Sequence, residues 1–182
     1  MSEIRAFAPV KLVYGIIFSE EPYFRKAQAH LIELHGRMDL ESPSFNFDLT
    51  DYYKKQMGQD LQRRFMTFRE LIRPEELSEI KVRANHLEED IKKECREERR
   101  IVNIDPGYIT SSALIMATAK DFSHRIPLQQ GIYAHLEFLF GKTGIRTLGW
   151  TYPDLRREVC QKFFLEARRV YLAQLKILSR GS

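Results

Sequence analysis

Polar side chains able to bind a ligand or transfer a proton are dense between positions 103 and 125, where most neighbouring residues are apolar. The motif N-I-D-P-G-Y occupies positions 103–108, an apolar run follows, and T-A-K-D-F-S-H-R occupies positions 118–125. Burying polar groups in an apolar frame is costly unless they are paired with one another or held for a ligand. This stretch therefore contains the best candidate site, although it does not name a reaction.

The polar residues of this stretch suit two different tasks. A carboxylate at the end of a strand and an imidazole can both move protons. Amide, phenol, ammonium and guanidinium groups can orient a ligand or hold a phosphate or carboxylate. We predict catalytic roles for Asp105 and His124, and ligand binding by Asn103, Tyr108, Lys120 and Arg125. The alternative for Asn103 and Asp105 is that Asp105 caps a turn and Asn103 satisfies a neighbouring strand. The alternative for the polar residues at 120–125 is a surface ion-pair cluster in a loop.

The spacing also predicts where these side chains point. Alternation along a strand places Asn103 and Asp105 on one face, and Pro106-Gly107 predicts a turn that presents Tyr108. A strand beginning near position 124 would direct His124 and Arg125 to opposite faces.

A metal site is not assigned from the sequence. Asp48 and Asp51 could bind a divalent cation only with further oxygen ligands, which Asp105 or Glu137 would have to supply. The sequence contains no G-x-x-x-x-G-K-[ST], G-x-G-x-x-G, H-E-x-x-H or G-x-S-x-G motif, which argues against P-loop NTPases, Rossmann dehydrogenases, zincins and α/β-hydrolases. No cofactor is predicted beyond the alternative of a divalent metal.

Composition predicts one globular domain. The chain has 182 residues, of which 43% are hydrophobic and 30% charged, and its net charge of +4 permits an anionic ligand without requiring one. We expect residues 1–182 to form a single domain with an ordered core at about 9–178. Cys95 and Cys160 are predicted to be reduced thiols of a cytoplasmic protein. No segment is long and apolar enough to predict a membrane span.

The first half of the chain has the periodicity of two strands around a helix. Val10–Phe18 is nearly continuous in hydrophobicity, which suits a strand buried on both faces. Ser19 is predicted to cap the following helix, which ends at Gly36. Its predicted inner residues are Phe24, Ala27, Leu31 and Leu34. An extended stretch at 38–48 follows, and then a short helix capped by Thr50.

The next elements predict a strand at 64–72, a long helix beginning at Pro74 and a strand at 101–105. The order β-α-β-β-α-β is that of a ferredoxin-like core in an α+β protein. Additional antiparallel strands are predicted at 113–118, 124–128, 131–140 and 145–151, followed by a C-terminal helix at 154–178. Within 131–140, apolar residues alternate with Tyr133, His135 and Glu137, which predicts a half-buried strand. Asp154 is predicted to cap the last helix.

Several motifs together resemble one uncharacterised prokaryotic family, domain of unknown function 4416. These motifs are P-V-K-L at 9–12, F-D-L-T-D-Y-Y at 47–53, Q-M-G at 56–58, N-I-D-P-G-Y at 103–108, T-A-K at 118–120, H-R-I at 124–126, G-I-Y-A at 131–134 and W-T-Y-P-D at 150–154. The resemblance covers nearly the whole domain, and it implies glutamate at the positions of Gln56 and His135. It implies no activity, ligand or catalytic residue.

Three functional hypotheses follow. The leading one is a cytoplasmic protein that binds, and in one version acts on, a phosphate-bearing small molecule such as a nucleotide. The second is an RNA-binding module that uses the basic C-terminal helix and exposed aromatic residues. The third is a non-catalytic module that binds a protein partner through the long charged helix. The sequence leaves the oligomeric state and the existence of a reaction open.

Overall fold

The computed structural model of the protein describes residues 3–48 and 53–180. In this part of the chain, nine strands form one antiparallel sheet with the order β2-β4-β1-β5-β6-β8-β7, while β3 pairs with β4 and β9 with β8. The strands are β1 Val10–Phe18, β2 Met38–Glu41, β3 Phe45–Asn46, β4 Gln62–Ile72, β5 Val102–Ile109, β6 Ala113–Thr118, β7 Ile126–Pro127, β8 Tyr133–Phe140 and β9 Ile145–Thr147.

Helices cover both faces of this sheet. The helices are α1 Glu21–His35, α2 Lys54–Met57, α3 Leu77–Glu94 and α4 Glu158–Leu178, with short 3-10 helices at Pro74–Glu76 and Pro153–Arg156. Helices α1 and α3 pack on one face through an apolar core that includes Tyr14, Phe24 and Ile91. Helix α4 packs on the other face, where Phe65 and Phe164 belong to a second core. The predicted α+β class is confirmed.

Strand β1 has the predicted bounds and is buried along its whole length. Its even-numbered residues Leu12, Tyr14, Ile16 and Phe18 lie in the core beneath α1 and α3. The odd-numbered Val13 faces the α4 side. Because both neighbours of β1 pair with it along most of its length, it is the central frame of the sheet.

Several predicted boundaries are wrong in detail. Residue Glu20, which provides no side-chain hydrogen bond, is the N-cap of α1 in place of Ser19, although Gly36 ends the helix as predicted. The extended stretch at 38–48 is divided into β2 and β3, with Pro43 in the interruption and β2 at the edge of the sheet. Leu34 is 51% exposed and does not belong to the inner face of α1. The predicted cap Thr50 lies outside the described residues.

The predicted turn at Pro106-Gly107 is wrong, because both residues lie inside β5. Gly107 is opposite Met116 in the pairing of β5 with β6. A Cβ atom added to Gly107 would lie 2.5 Å from the carbonyl oxygen of Ile115 and even closer to the sulfur of Met116. The glycine is therefore required for the close approach of two strands rather than for a turn.

The last strands are shorter than predicted. Strand β7 contains only Ile126 and Pro127, so His124 lies in the preceding turn. Helix α4 begins at Glu158, after the short 3-10 helix that contains Asp154. None of the helices in the described chain has an apolar stretch long enough to cross a lipid bilayer.

The substitution Gly107→Ala is expected to destabilise the protein by about 1–3 kcal/mol, because its methyl group overpacks against backbone of β6 that has no room to move. Gly149→Ala is the matched control, since a Cβ at that position meets no atom within 4 Å. Urea unfolding of both variants measures the difference. Equal stabilities would contradict the close approach of β5 and β6 at Gly107.

Candidate functional site

A cavity of about 290 Å³ opens on the α4 side of the sheet, beyond the N-terminus of α4. Most of the polar groups that line it come from β4, β5, β8, α3 and the segment before α4. The lining residues are Ile17, Phe47, Tyr53, Arg63, Lys81, Asn85, Arg100, Asn103, Asp105, Met116, Ala117, Thr118, Ala119, Lys120, His135, Glu137, Tyr152, Pro153 and Asp154. Of the six residues predicted to form the site, Asn103, Asp105 and Lys120 line this cavity.

The cavity exists because β5 and β6 pair over only part of their length. The pairing joins residues 107–109 of β5 to residues 114–116 of β6. Towards the other end, residues 102–106 of β5 still pair with β1, whereas residues 115–118 of β6 pair with β8. The two strands thus form a fork, with Asn103 and Asp105 on one arm and Ala117 to Lys120 continuing from the other.

A hydrogen-bonded network lines the β5 arm of the fork. The Lys81 ammonium donates to Asp105 Oδ1 at 2.9 Å and to the Ile104 carbonyl at 2.9 Å. Asn103 Nδ2 donates to Asp105 Oδ2 at 2.5 Å, which confirms that these side chains share a face. Arg100 Nη2 donates to Asn103 Oδ1 at 2.6 Å. Lys81 reaches this network from α3, on the opposite face of the sheet, through the gap between the strands.

Asp105 is held in its ionised form by this network. Burial on its own would raise the pKa of Asp105, but the charges of Lys81 and Arg63 and the hydrogen bonds from Lys81 and Asn103 outweigh burial and lower the pKa. Both carboxylate oxygens already accept hydrogen bonds. Asp105 is therefore suited to positioning its cationic neighbours.

A buried ion pair forms part of the lining on the β4 side. Arg63 Nη1 donates to Asp154 Oδ2 at 2.5 Å, and both side chains are at least nine-tenths buried. The Arg63 guanidinium lies across Gly15, where an added Cβ would be 2.8 Å from Nη2. The interpretation of Asp154 as a helix cap is wrong, because its carboxylate binds Arg63. This pair joins β4 to the segment that precedes α4.

Strand β8 contributes two buried polar side chains because its pairing with β6 is irregular. The register places Leu114 opposite Phe138 and Ile115 opposite Leu136, which leaves Glu137 as the extra residue of a bulge. His135, Glu137 and Phe138 are all buried, whereas the simple alternation predicted for this strand would expose the first two. A bulge redirects side chains in this way and is frequent beside functional sites.

His135 and Glu137 have unsatisfied polar atoms at the cavity. Both ring nitrogens of His135 and the Oε1 atom of Glu137 are without a hydrogen-bond partner among the described residues. The distance between His135 Nδ1 and Glu137 Oε1 is 3.6 Å, too long for a hydrogen bond. Leaving buried polar atoms unpaired costs about 1–3 kcal/mol each, so such atoms require a functional explanation.

Burial keeps both of these groups uncharged near neutral pH. It raises the pKa of Glu137 to about 8, against the smaller opposing effects of the Tyr152 backbone N–H and of Arg63. Burial also lowers the pKa of His135 to about 4, with Arg125 and His124 acting in the same direction. The carboxyl groups of the cavity wall belong to Asp105, Asp154 and Glu137, of which Glu137 is protonated at pH 7. The cationic side chains of the wall are those of Arg63, Lys81, Arg100 and Lys120.

The predicted residues His124 and Arg125 lie behind the cavity wall. The His124 ring stacks on Trp150 with a centroid distance of 4.9 Å and lies 4.7 Å from the ring of His135. Arg125 donates to the Lys120 carbonyl at 2.7 Å and to the Tyr152 hydroxyl at 3.1 Å. His124 and Arg125 therefore contact residues that line the cavity but do not line it themselves.

Tyr108 is placed differently from the expectation. Because β5 continues through Pro106-Gly107, Tyr108 follows the strand alternation to the face opposite Gly107 and packs with Leu77, Ala117 and Ile132. It does not line the cavity.

Sequence reasoning missed several lining residues because their partners are distant in the chain. Arg63 and Arg100 each lie one position before a predicted strand. Lys81 and Glu88 are separated by seven residues on α3, so helical periodicity places both beside the apolar stripe. Charged residues at buried positions of a periodic helix were the available signal.

Within residues 3–48 and 53–180, the structure contains no group of three or more His, Cys, Asp or Glu residues arranged to hold a metal ion. Asp48 pairs with Arg157. Asp51 lies outside the described residues.

The fold and the cavity together define an α+β protein with a charged site in a forked antiparallel sheet. The family model described as a domain of unknown function (DUF4416) matches residues 8–171, and the chain belongs to this family. This confirms the resemblance seen in the sequence motifs. No curated protein matches the chain. No solved structure matches it either.

Glu137→Gln is expected to remove part of the pH dependence of stability. Unfolded Glu137 titrates near 4.5 and folded Glu137 near 8, so the native state holds a proton that the unfolded state has lost. The contribution of Glu137 to the free energy of unfolding therefore falls as pH rises between these values, by an amount on the order of a few kcal/mol. Glutamine does not titrate and lacks this fall.

Urea unfolding of wild type and Glu137→Gln at a series of pH values above about 6.5 measures the effect. His135, whose lowered pKa gives the opposite slope at acidic pH, is present in both proteins, so its contribution cancels from the difference between them. The stability difference should move in favour of the variant as pH rises. A constant difference up to about pH 8.5 would show that Glu137 ionises normally in the folded protein.

Proposed function

We propose that the cavity binds a phosphate-bearing small molecule such as a nucleotide. The observation that carries this proposal is the excess of positive charge around a cavity whose wall also contains unsatisfied polar atoms. Cationic and N–H groups suit phosphate recognition, because charge-assisted hydrogen bonds to phosphate oxygens are stronger than neutral ones.

Lys120 and Arg100 are the groups that we propose to hold the phosphate. The Lys120 ammonium lies 5.7 Å and the Arg100 guanidinium carbon 5.9 Å from the centre of the Tyr53 ring, so the two cations converge on one side chain. Lys81 pairs with Asp105, and Arg100 also pairs with Glu88 of α3. In this arrangement Asp105 and Asn103 orient the cations, and Arg125 supports the Lys120 backbone from outside.

A reaction on the bound ligand is the further part of this proposal. A general acid needs a proton at working pH and an open position towards the ligand. Glu137 meets both requirements better than Asp105, whose two oxygens are occupied and whose pKa is lowered. His124 can assist only through His135, whose ring it contacts.

The RNA and protein-partner hypotheses have weaker support. Basic residues of α4 are engaged within the chain, since Lys162 pairs with Glu158, Arg169 with Glu166, and Arg168 donates to the Ser111 carbonyl. The exposed face of α3 likewise contains ion pairs between Arg83 and Glu79. Among the described residues, no buried polar atom without a hydrogen-bond partner lies on either surface.

The remaining expectations concern the core and the compartment. We propose that β1, α1, β2, β4, α3 and β5 form the predicted ferredoxin-like core and that the protein is cytoplasmic, which the two free cysteines support. Ferredoxin-like cores have many functions, so the proposed function depends on the site rather than on the fold.

Lys120→Ala is expected to weaken binding of a phosphate ligand, because it removes a charge at the rim of the cavity. The measurement is a thermal-shift screen of the purified protein against nucleotides and sugar phosphates, in which a ligand at 100 times its dissociation constant adds about 2.7 kcal/mol. For a ligand that stabilises the wild type, the variant should lose most of the shift at the same concentration.

Lys142→Ala is the matched control, since Lys142 is an exposed lysine in the turn between β8 and β9 and does not line the cavity. It should retain the wild-type shift. Equal losses in the two variants would indicate nonspecific attraction to a basic protein. The absence of a shift with every phosphate compound would overturn the proposed function.

A further inference from the structure

Two sides of the cavity differ in their chemistry, namely the β5 arm of the fork and strand β8, which lies beyond the β6 arm. The β5 arm contains the charged network of Lys81, Asp105 and Arg100. The β8 side contains His135 and Glu137, whose unpaired buried atoms are a carboxyl oxygen and two ring nitrogens. One charged end and one uncharged polar end favour a ligand that has the same division.

The separation of these two sides also limits the ligand. In the sheet, β6 lies between β5 and β8. Neighbouring strands are about 4.8 Å apart, so the backbones of β5 and β8 are about 10 Å apart or more. A phosphate held by Lys120 and Arg100 therefore leaves space for a sugar and a ring between these residues and β8. The wall between them includes the apolar side chains of Met116 and Ala117 of β6, which suit the faces and edges of an uncharged ring.

Burial, which raises the pKa of Glu137 to about 8, keeps the side chain protonated, and the groups packed around it fix its position. The bulge is fixed by the segment before α4, because Trp150 Nε1 donates to the Leu136 carbonyl at 2.7 Å and the Tyr152 N–H donates to Glu137 Oε2 at 3.1 Å. Glu137 Oε1 is buried and has no hydrogen-bond partner among the described residues. The charged or titratable groups that face His135 and Glu137 from neighbouring elements are Arg63, Asp154, Arg125, His124 and Tyr152.

Arg63 does not neutralise Glu137. Its guanidinium is already paired with Asp154 at 2.5 Å, and no hydrogen bond connects it to Glu137 among the described residues. The unpaired Oε1 atom of protonated Glu137 therefore offers an O–H donor, while the neutral imidazole of His135 offers one donor and one acceptor. These groups match a ring edge that has a nitrogen acceptor beside an amino donor.

We propose that His135 and Glu137 form a base-recognition subsite for an adenine-type ring, in which Glu137 donates a hydrogen bond to a ring nitrogen and His135 accepts one from the exocyclic amino group. The subsite depends on the proposed phosphate site, because both would hold one nucleotide. It identifies the organic part of the ligand, which the cationic residues do not distinguish.

Adenosine 5′-monophosphate and ribose 5-phosphate are the probes that separate the two sites, because they share the sugar phosphate and differ in the base. Isothermal titration at about pH 7 should give at least about tenfold tighter binding of the nucleotide, a factor that corresponds to about 1.4 kcal/mol. Glu137→Ala should reduce this advantage to less than about threefold, with little effect on ribose 5-phosphate. Lys120→Ala should weaken both probes.

The dependence of affinity on pH tests the donor role of Glu137. Wild-type affinity for adenosine 5′-monophosphate should fall by about tenfold between about pH 7 and pH 9, as the donor proton is lost. The phosphate of the probe is almost fully ionised in this range, so its own titration contributes little. Glu137→Gln keeps an N–H donor without titrating, and should bind about tenfold more tightly than the wild type at the upper pH.

Glu89→Gln is the control for loss of a carboxylate, because Glu89 is exposed on α3 and does not line the cavity. It should keep the wild-type pH profile. The melting temperature of each variant, measured without ligand, establishes that it is folded.

Three results would contradict the subsite in different ways. Equal affinities for both probes, with Lys120→Ala still weakening each of them, would remove the base-recognition subsite and leave the phosphate site in place. Failure of both probes to bind would overturn the subsite and also count against the phosphate site. A Glu137→Gln variant that binds the nucleotide as weakly as Glu137→Ala at every pH would show that the carboxylate, and not the protonated group, is the binding form.

Discussion

The close approach of β5 and β6 at Gly107 is the constraint on which the rest of the site depends. A side chain at this position would collide with the backbone of β6, so only glycine permits the strands to pair there. Because the pairing covers so few residues, the strands separate on the other side of it and leave an opening in the middle of the sheet. In a regularly paired sheet, the two strands would satisfy each other's backbone groups and no cavity would form between them.

The opening has to be filled or lined by groups that satisfy exposed polar backbone. Lys81 and Glu88 of α3 perform this task, since the Lys81 ammonium binds the Ile104 carbonyl at 2.9 Å and Glu88 Oε1 accepts the Ile104 N–H at 2.7 Å. These side chains replace the hydrogen bonds that a neighbouring strand would supply. Charges used in this way must be balanced, and Asp105 and Arg100 provide the opposite charges. The polar network thus has a structural origin as well as a place at the site.

Much of the framework was predictable because it depends on local periodicity. The bounds of β1 and β6 and the position of Gly36 follow from hydrophobic patterns and glycine chemistry. The shared face of Asn103 and Asp105 follows from strand alternation. The continuation of β5 through Pro106-Gly107 was not predictable, because the pair is also a turn signal and only the position of Met116 decides between the two.

The bulge at Glu137 escaped prediction for a related reason. A bulge changes which residues share a face, and the register that reveals it is a property of two strands rather than of one. Ion pairs such as that of Arg63 with Asp154 join residues that are 91 positions apart. The sequence therefore identified the arm of the site that lies within one segment, while the groups contributed from β4, α3 and β8 required the assembled sheet.

The stack of Trp150 on His124 has a practical consequence. The chain contains one tryptophan, and its indole lies against an imidazole that contacts His135 and is hydrogen-bonded beside the bulge. Intrinsic fluorescence excited at the indole band therefore originates at the edge of the cavity alone. The protein contains its own optical probe of this region, one that needs no label and changes no residue.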